Sequence, residues 1–142
     1  MEDFYPMPMF INLEVADLSS SAEWYRQALG FRIVYSGPPG APALIHLRRD
    51  RYQDILLVPS QEASTFQPGK GIIIQFQAGS VGVEETARQA KLAGTVNVKG
   101  PVERPWNVRD VTIQDLDGYR LRFSEPVDTT KSFNDVMRQQ EE

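Results

Sequence analysis

The chain has 142 residues, enough for one domain with a core of its own, and a net charge of −4. It has no cysteine, which excludes disulfides and thiolate chemistry, and its single histidine, His46, is a thin basis for a transition-metal site. No apolar run is long enough to cross a bilayer, no basic block points to nucleic acid, and the acidic, proline-broken start MEDFYPMPMF is unlike a signal peptide, so a cytoplasmic protein is expected.

Residues 9–15, MFINLEV, alternate strictly and predict a strand. Ile11, Leu13 and Val15 share one face; Phe10, Asn12 and Glu14 share the other. Asp17 and the serines 19–21 supply helix-start chemistry, with Glu23 expected in the first turn. The helix that follows turns Trp24, Tyr25, Ala28 and Leu29 toward a core and ends at Gly30. Residues 31–35 make a second strand and 37–42, GPPGAP, a loop. Residues 43–48 and 54–58 are two further strands joined by a charged turn, and 59–70 is a polar connector.

The order then starts again. Residues 71–78 form a strand and 83–92 a helix with Val83, Ala87, Ala90 and Leu92 on its apolar side, closed by Gly94. A short strand is expected at 96–98, a loop at 100–105, and strands at 108–114 and 119–124. The chain is therefore an α+β repeat of roughly sixty residues, β-α-β-β-β twice. Each half has one helix to cover one face of its sheet, so the uncovered faces are expected to form a curved mixed sheet around a cleft. A single domain over 1–126 is expected, with modules at about 8–59 and 71–126, followed by a polar tail, 127–142, that is either a docked helix or disordered.

Two segments resemble the vicinal oxygen chelate superfamily, which includes glyoxalase I, extradiol dioxygenases and bleomycin resistance proteins. LEVADLSSSAEWYRQALGF, 13–31, is similar to the family's first strand, turn and helix, and DLDGYRLRF, 115–123, to its closing hairpin and last strand. The resemblance implies that metal-dependent members would carry His, Gln or Glu ligands at positions that fall here on Phe10, Leu56 or Leu57, Ile73 and Arg122. Three of these are apolar and one is cationic, so no metal and no cofactor is expected. The resemblance then points to the metal-free, bleomycin-resistance-type branch: a homodimer that sequesters an aromatic natural product and has no catalytic residues. The alternative it leaves open is an enzyme of the same fold acting on a small organic substrate.

Strand parity sets the cleft-facing candidates: Phe10, Asn12, Glu14, Ile73, Gln75, Asp110, Thr112 and Arg122, with His46 on the third strand and Tyr52 and Trp106 near a rim. Amides, charges and aromatic platforms together suit a flat, partly polar ligand. Each has a plainer reading. Arg122 either meets a ligand or pairs with Glu14 or Asp110, Phe10 either lines the cleft or fills core, and His46 is either a base or a satisfied strand residue. Trp106 walls a pocket, packs in a dimer or caps the core. Phe4, Tyr5, Met7 and Met9 form an apolar arm that either crosses to a partner or frays.

Overall fold

Asp17 starts the first helix as the sequence predicts: its carboxylate accepts the Ser20 amide at 2.9 Å. Gly30 ends that helix in the left-handed conformation, at φ 73°. The computed structural model describes residues 5–61 and 68–141. Phe4 and part of the polar connector lie outside the described residues.

The first module runs β1 (Ile11–Val15), α1 (Leu18–Leu29), β2 (Arg32–Gly37), β3 (Leu44–Arg48) and β4 (Asp54–Pro59). The second runs β5 (Ile73–Gln77), α2 (Val83–Leu92), β6 (Val98–Arg104), β7 (Val108–Gln114) and β8 (Arg120–Pro126). The strands form two four-stranded mixed sheets rather than one, ordered β1-β4-β3-β2 and β5-β8-β7-β6. In each, the first strand lies parallel to the last and the other pairs are antiparallel.

Leu13, Val15, Ile45, Leu47, Ile55 and Leu57 face α1; Ile74, Val111, Ile113, Leu121 and Phe123 form the matching face of the second sheet, and the two sets belong to one continuous core. Trp24, Tyr25, Ala28 and Leu29 are buried there. The modules meet through α1 and α2, so their helix-covered sides join and the open faces do not close on one shared cleft within the chain.

Three details differ from the expectations. Glu23 lies past the first turn of α1, where it pairs with Arg26 and Gln27. Leu92, the last residue of α2, is largely exposed because helical phase puts it on the side opposite the buried Val83, Ala87 and Ala90. Residues 100–104 belong to β6 rather than to a loop. A bulge between Lys99 and Val102 absorbs Pro101, which has no N–H to give the ladder, on an edge strand where that is tolerated. Gly100 makes this possible: at φ 110°, a Cβ there would come within 2.8 Å of the Asp110 carbonyl oxygen. Of the two alternatives for the tail, the helix is the one found: α3 (Phe133–Glu141) buries Val136. Asn107 and Asp128, which exchange two hydrogen bonds, fasten the tail to the β6–β7 turn.

The β7–β8 turn holds the modules together. Asp115 is buried and accepts the Asp117 and Tyr119 amides on Oδ1 and the Tyr25 hydroxyl, at 2.6 Å, on Oδ2. Burial raises the Asp115 carboxyl, and these hydrogen bonds only partly pull it back. Its charged form is thus disfavoured in the folded state, so its contribution to stability is fullest in acid and is lost as pH rises through the raised value. Tyr25→Phe removes one of the compensating bonds. We expect it to destabilise the chain by about 1–3 kcal/mol at pH 7 in urea denaturation, with a smaller deficit near pH 4. Equal deficits at both pH values would contradict this account.

Candidate functional site

Strand pairing places Asn12, Leu56, His46 and Tyr35 in one row across the open face of the first sheet. This settles the register left open between two leucines: Leu57 is fully buried on the helix side, so the open-face position is Leu56. At one end of this face sits Asp54, a buried carboxylate. Tyr5 donates its hydroxyl to Asp54 Oδ2 at 2.6 Å, and Arg48 Nε donates to Oδ1 at 2.8 Å. His46 Nε2 also lies 2.8 Å from Oδ1. The guanidinium carbons of Arg48 and Arg51 stand over the Tyr5 ring at 4.2 and 5.0 Å. Burial works to raise the Asp54 carboxyl, but the hydrogen bonds from Tyr5, Arg48 and His46 outweigh it and hold it below its ordinary value. The N-terminal arm is therefore pinned to its own sheet at Tyr5, and His46 has a carboxylate partner.

The second sheet presents a different open face. Ile73, Gln75 and Gln77 alternate with buried Ile74, and Arg120 and Arg122 alternate with fully buried Leu121 and Phe123. A hollow of about 280 Å³ opens on this face. Lys99, Arg104, Arg120 and Arg122 line it, with Thr112 and Ile73 among its neutral walls. Arg122 Nε donates to Thr112 Oγ1 at 3.1 Å. Asp110 is buried and takes Arg104 in a two-point pair, at 3.0 and 3.1 Å. Arg122 thus pairs with neither Glu14 nor Asp110.

A second hollow, of about 350 Å³, lies at the seam between the starts of β1 and β5. Phe10, Tyr52, Gln75 and Phe76 line it, together with Met9 and Ile72. Ile73 belongs to both hollows and forms the wall between them.

The structure therefore brings together Phe10, Tyr52, Ile73 and Gln75 at the seam, and Ile73, Thr112 and Arg122 on the second sheet. Asp110 supports the second group through Arg104. Asn12 and Glu14 are exposed on β1 but line neither hollow, His46 is engaged by Asp54, and Trp106 is half-exposed in the β6–β7 turn. Sequence reasoning did not single out Lys99 and Arg104, because Gly100 and Pro101 read as a loop and hid the strand that carries both. It also missed the Tyr5–Asp54 bond, which joins residues 49 apart in sequence.

The donor set does not fit a divalent metal. Phe10, Leu56 and Ile73 offer no ligand atom, and Arg122 brings a positive charge. Among the described residues, no three His, Asp or Glu side chains converge to hold an ion. Nor is any helix among them long and apolar enough to cross a membrane.

The sequence profile of the Glyoxalase/Bleomycin resistance protein/Dioxygenase superfamily matches residues 10–123. No curated protein matches the chain. Solved structures of similar fold include TioX from Micromonospora sp. ML1, at 20% identity and TM-score 0.69 over 83% of this chain and 97% of that one. TnmS3 from Streptomyces sp. CB03234, described as an antibiotic binding protein, is 19% identical, with TM-score 0.65 over 89% and 98%. A glyoxalase-related enzyme from Clostridium phytofermentans is 17% identical, with TM-score 0.64 over 89% and 99%. At these identities the likeness is one of fold.

Tyr5→Phe leaves the buried Asp54 carboxylate one donor short. We expect a loss of about 1–3 kcal/mol and faster proteolysis of the N-terminal arm. Because Asp54 is held low when folded, its contribution is present above the ordinary carboxyl range and is lost as pH falls through the lowered value. The stability difference between wild type and variant should therefore shrink below about pH 4. An arm equally resistant to protease in both proteins would refute the anchoring role of Tyr5.

Proposed function

Since the chain belongs to the glyoxalase/bleomycin resistance protein/dioxygenase superfamily, and the positions where that fold would hold a metal carry Phe10, Leu56, Ile73 and Arg122, we propose that it is a binding protein that sequesters an aromatic natural product. The observation that carries this reading is the pair of adjoining hollows that share Ile73. One is walled by Phe10, Tyr52 and Phe76 and offers apolar, aromatic surface. The other offers guanidinium planes and amides. A planar molecule with a polar edge would span both, its body on the aromatic side and its polar edge on β8. The antibiotic-binding description of TnmS3 agrees with this reading. We take sequestration to mean stoichiometric, reversible capture, with two copies of the chain as the working unit, and assign no residue a catalytic role.

A second reading, an enzyme acting without a metal, draws on one contact: His46 is oriented by the buried Asp54 at 2.8 Å, the arrangement that positions a general base. The same carboxylate also serves Tyr5 and Arg48, so the contact is equally accounted for as structural satisfaction of a buried charge.

Thermal-shift and calorimetric titration against planar aromatic antibiotics test the proposal. A ligand at a hundred times its dissociation constant should raise stability by about 2.7 kcal/mol. Phe10→Ala should weaken that binding by about tenfold, the cost of losing part of an aromatic contact, without unfolding a chain in which Phe10 is half-exposed. Ligand recovered chemically unchanged after prolonged incubation supports sequestration. Appearance of a converted product that is abolished in His46→Ala would replace it with the enzyme reading.

A further inference from the structure

We propose that the hollow on the second sheet is a seat for an oxyanion, and that the molecule bound there carries a carboxylate, phosphate or sulfate group held by Arg122, Arg120 and Lys99. This rests on the reading of the chain as a small-molecule binder and narrows it to anionic ligands.

The charge balance is the first argument. The chain as a whole is acidic, at −4. Four cations nevertheless line this one hollow, and no carboxylate lines it. Asp110 neutralises one of the four by gripping Arg104 at two points. Lys99, Arg120 and Arg122 have no carboxylate partner among the described residues. Like charges left this close on one concave face repel each other, and a bound anion turns that cost into attraction.

Register is the second argument. Lys99, Thr112 and Arg122 are successive partners across β6, β7 and β8, so they stand in one row. Arg120 lies two residues along β8 on the same face. Arg120 and Arg122 stand about 7 Å apart along β8, and Lys99 is two strand spacings, about 10 Å, from Arg122, a gap that these long side chains can close around one oxyanion. Thr112 occupies only the Nε edge of Arg122, which leaves the terminal N–H groups of its five-donor fork for a ligand. This contact also fixes the guanidinium plane, so Arg122 is preorganised while Arg120 and Lys99 supply charge.

The dimensions favour one ionic group of a small molecule over a polyanion. The cations converge on a hollow of about 280 Å³ and do not form a stripe along which a phosphodiester backbone could run. Ile73 then passes the rest of the ligand to Phe10 and Tyr52 on the seam side.

The test uses the full chain with 2-naphthoate, its neutral amide 2-naphthamide, inorganic phosphate and sulfate. We expect 2-naphthoate to raise the melting temperature and to bind at least about tenfold more tightly than the amide, with affinity falling as salt rises. Preference for phosphate or sulfate over the carboxylate would assign the seat to a tetrahedral oxyanion. Arg122→Gln and Arg120→Gln should each erase the preference for the anion. Both should remain folded, with unliganded melting temperatures equal to or above wild type because a like-charge contact is relieved. A second check is Arg109→Gln, which removes a cation from the helix side of β7 and should leave anion binding unchanged. Equal binding of naphthoate and naphthamide would overturn the oxyanion seat while leaving aromatic sequestration standing. Phosphate or sulfate binding with no response to either naphthalene would do the reverse. No shift with any anion, or tighter binding of a short single-stranded RNA than of 2-naphthoate, would also overturn the proposal.

Discussion

Everything about the open faces depends on how the two modules are fastened, and they are fastened by a reciprocal exchange between equivalent hairpin turns. In the first module, the β3–β4 turn reaches over to the second. Arg49 donates to the carbonyl oxygens of Gln77 and Ala78, and Gln53 donates to Gln77 as well. In the second module, the β7–β8 turn reaches back. Asp117 accepts the Ala16 amide and the Ser21 hydroxyl, Asp115 accepts from Tyr25, and the Tyr119 hydroxyl donates to the Glu14 carbonyl oxygen. Each turn thus grips the other module where its first strand gives way to its helix. The chemistry is opposite at the two places, a cation that donates in one and carboxylates that accept in the other. The backbone groups being satisfied differ accordingly: carbonyl oxygens alone at the end of β5, an amide as well as the Glu14 carbonyl oxygen at the end of β1. Hydrogen bonds of this kind fix direction as well as distance, which apolar packing of α1 on α2 does not.

The fastening sets Ile73 beside the Phe10 hollow and leaves both sheets with one uncovered face. The modules use those faces differently. The first satisfies its own buried charge: Asp54 collects Tyr5, Arg48 and His46, and the N-terminal arm covers that end of the sheet. The second, among the described residues, leaves three cations without a carboxylate. A repeat of one architecture has therefore diverged into a self-satisfied half and an unsatisfied half. Lys99 is exposed and Arg120 and Arg122 are half-buried, so water can serve each of them, but like charges gathered on one concave face make this the half where a partner of opposite charge has most to offer.

Much of this was legible from short-range pattern. The order of elements, the Asp17 cap, the core faces of β1, β5 and β8, and the bounds of α2 and β7 all follow from alternation, helical period and turn residues within a few positions. Parity alone was enough to put Ile73 and Arg122 on the open face of the second sheet, whereas Phe10 lies just before β1, at the seam. What alternation could not supply is anything set by distant partners. Leu56 and Leu57 are neighbours in an apolar run that reads the same in either register, and only pairing with His46 and Asn12 decides between them. Tyr5 read as part of a loose arm because its partner, Asp54, lies far along the chain. Lys99 and Arg104 were hidden by Gly100 and Pro101, residues that mark a turn in most contexts and here make a bulge in an edge strand. The same omission concealed the charge of the second hollow, since two of its four cations come from β6.

The charge at position 122 decides what this open face attracts. Strand geometry delivers the side chain at this point to the open face whatever its identity, because Leu121 and Phe123 on either side must stay in the core. A carboxylate there would draw a cation; a guanidinium repels a metal ion and draws an anion by the same Coulomb term with its sign changed. The neighbouring residues agree with that change. Thr112 accepts from Arg122, Lys99 and Arg120 add positive charge, and the one carboxylate of this face, Asp110, is turned away from the hollow to Arg104. A lone arginine at this position would show only that the face does not attract a metal ion. A row of cations around it, with the nearest carboxylate already engaged, is the arrangement expected of a face that binds an anion.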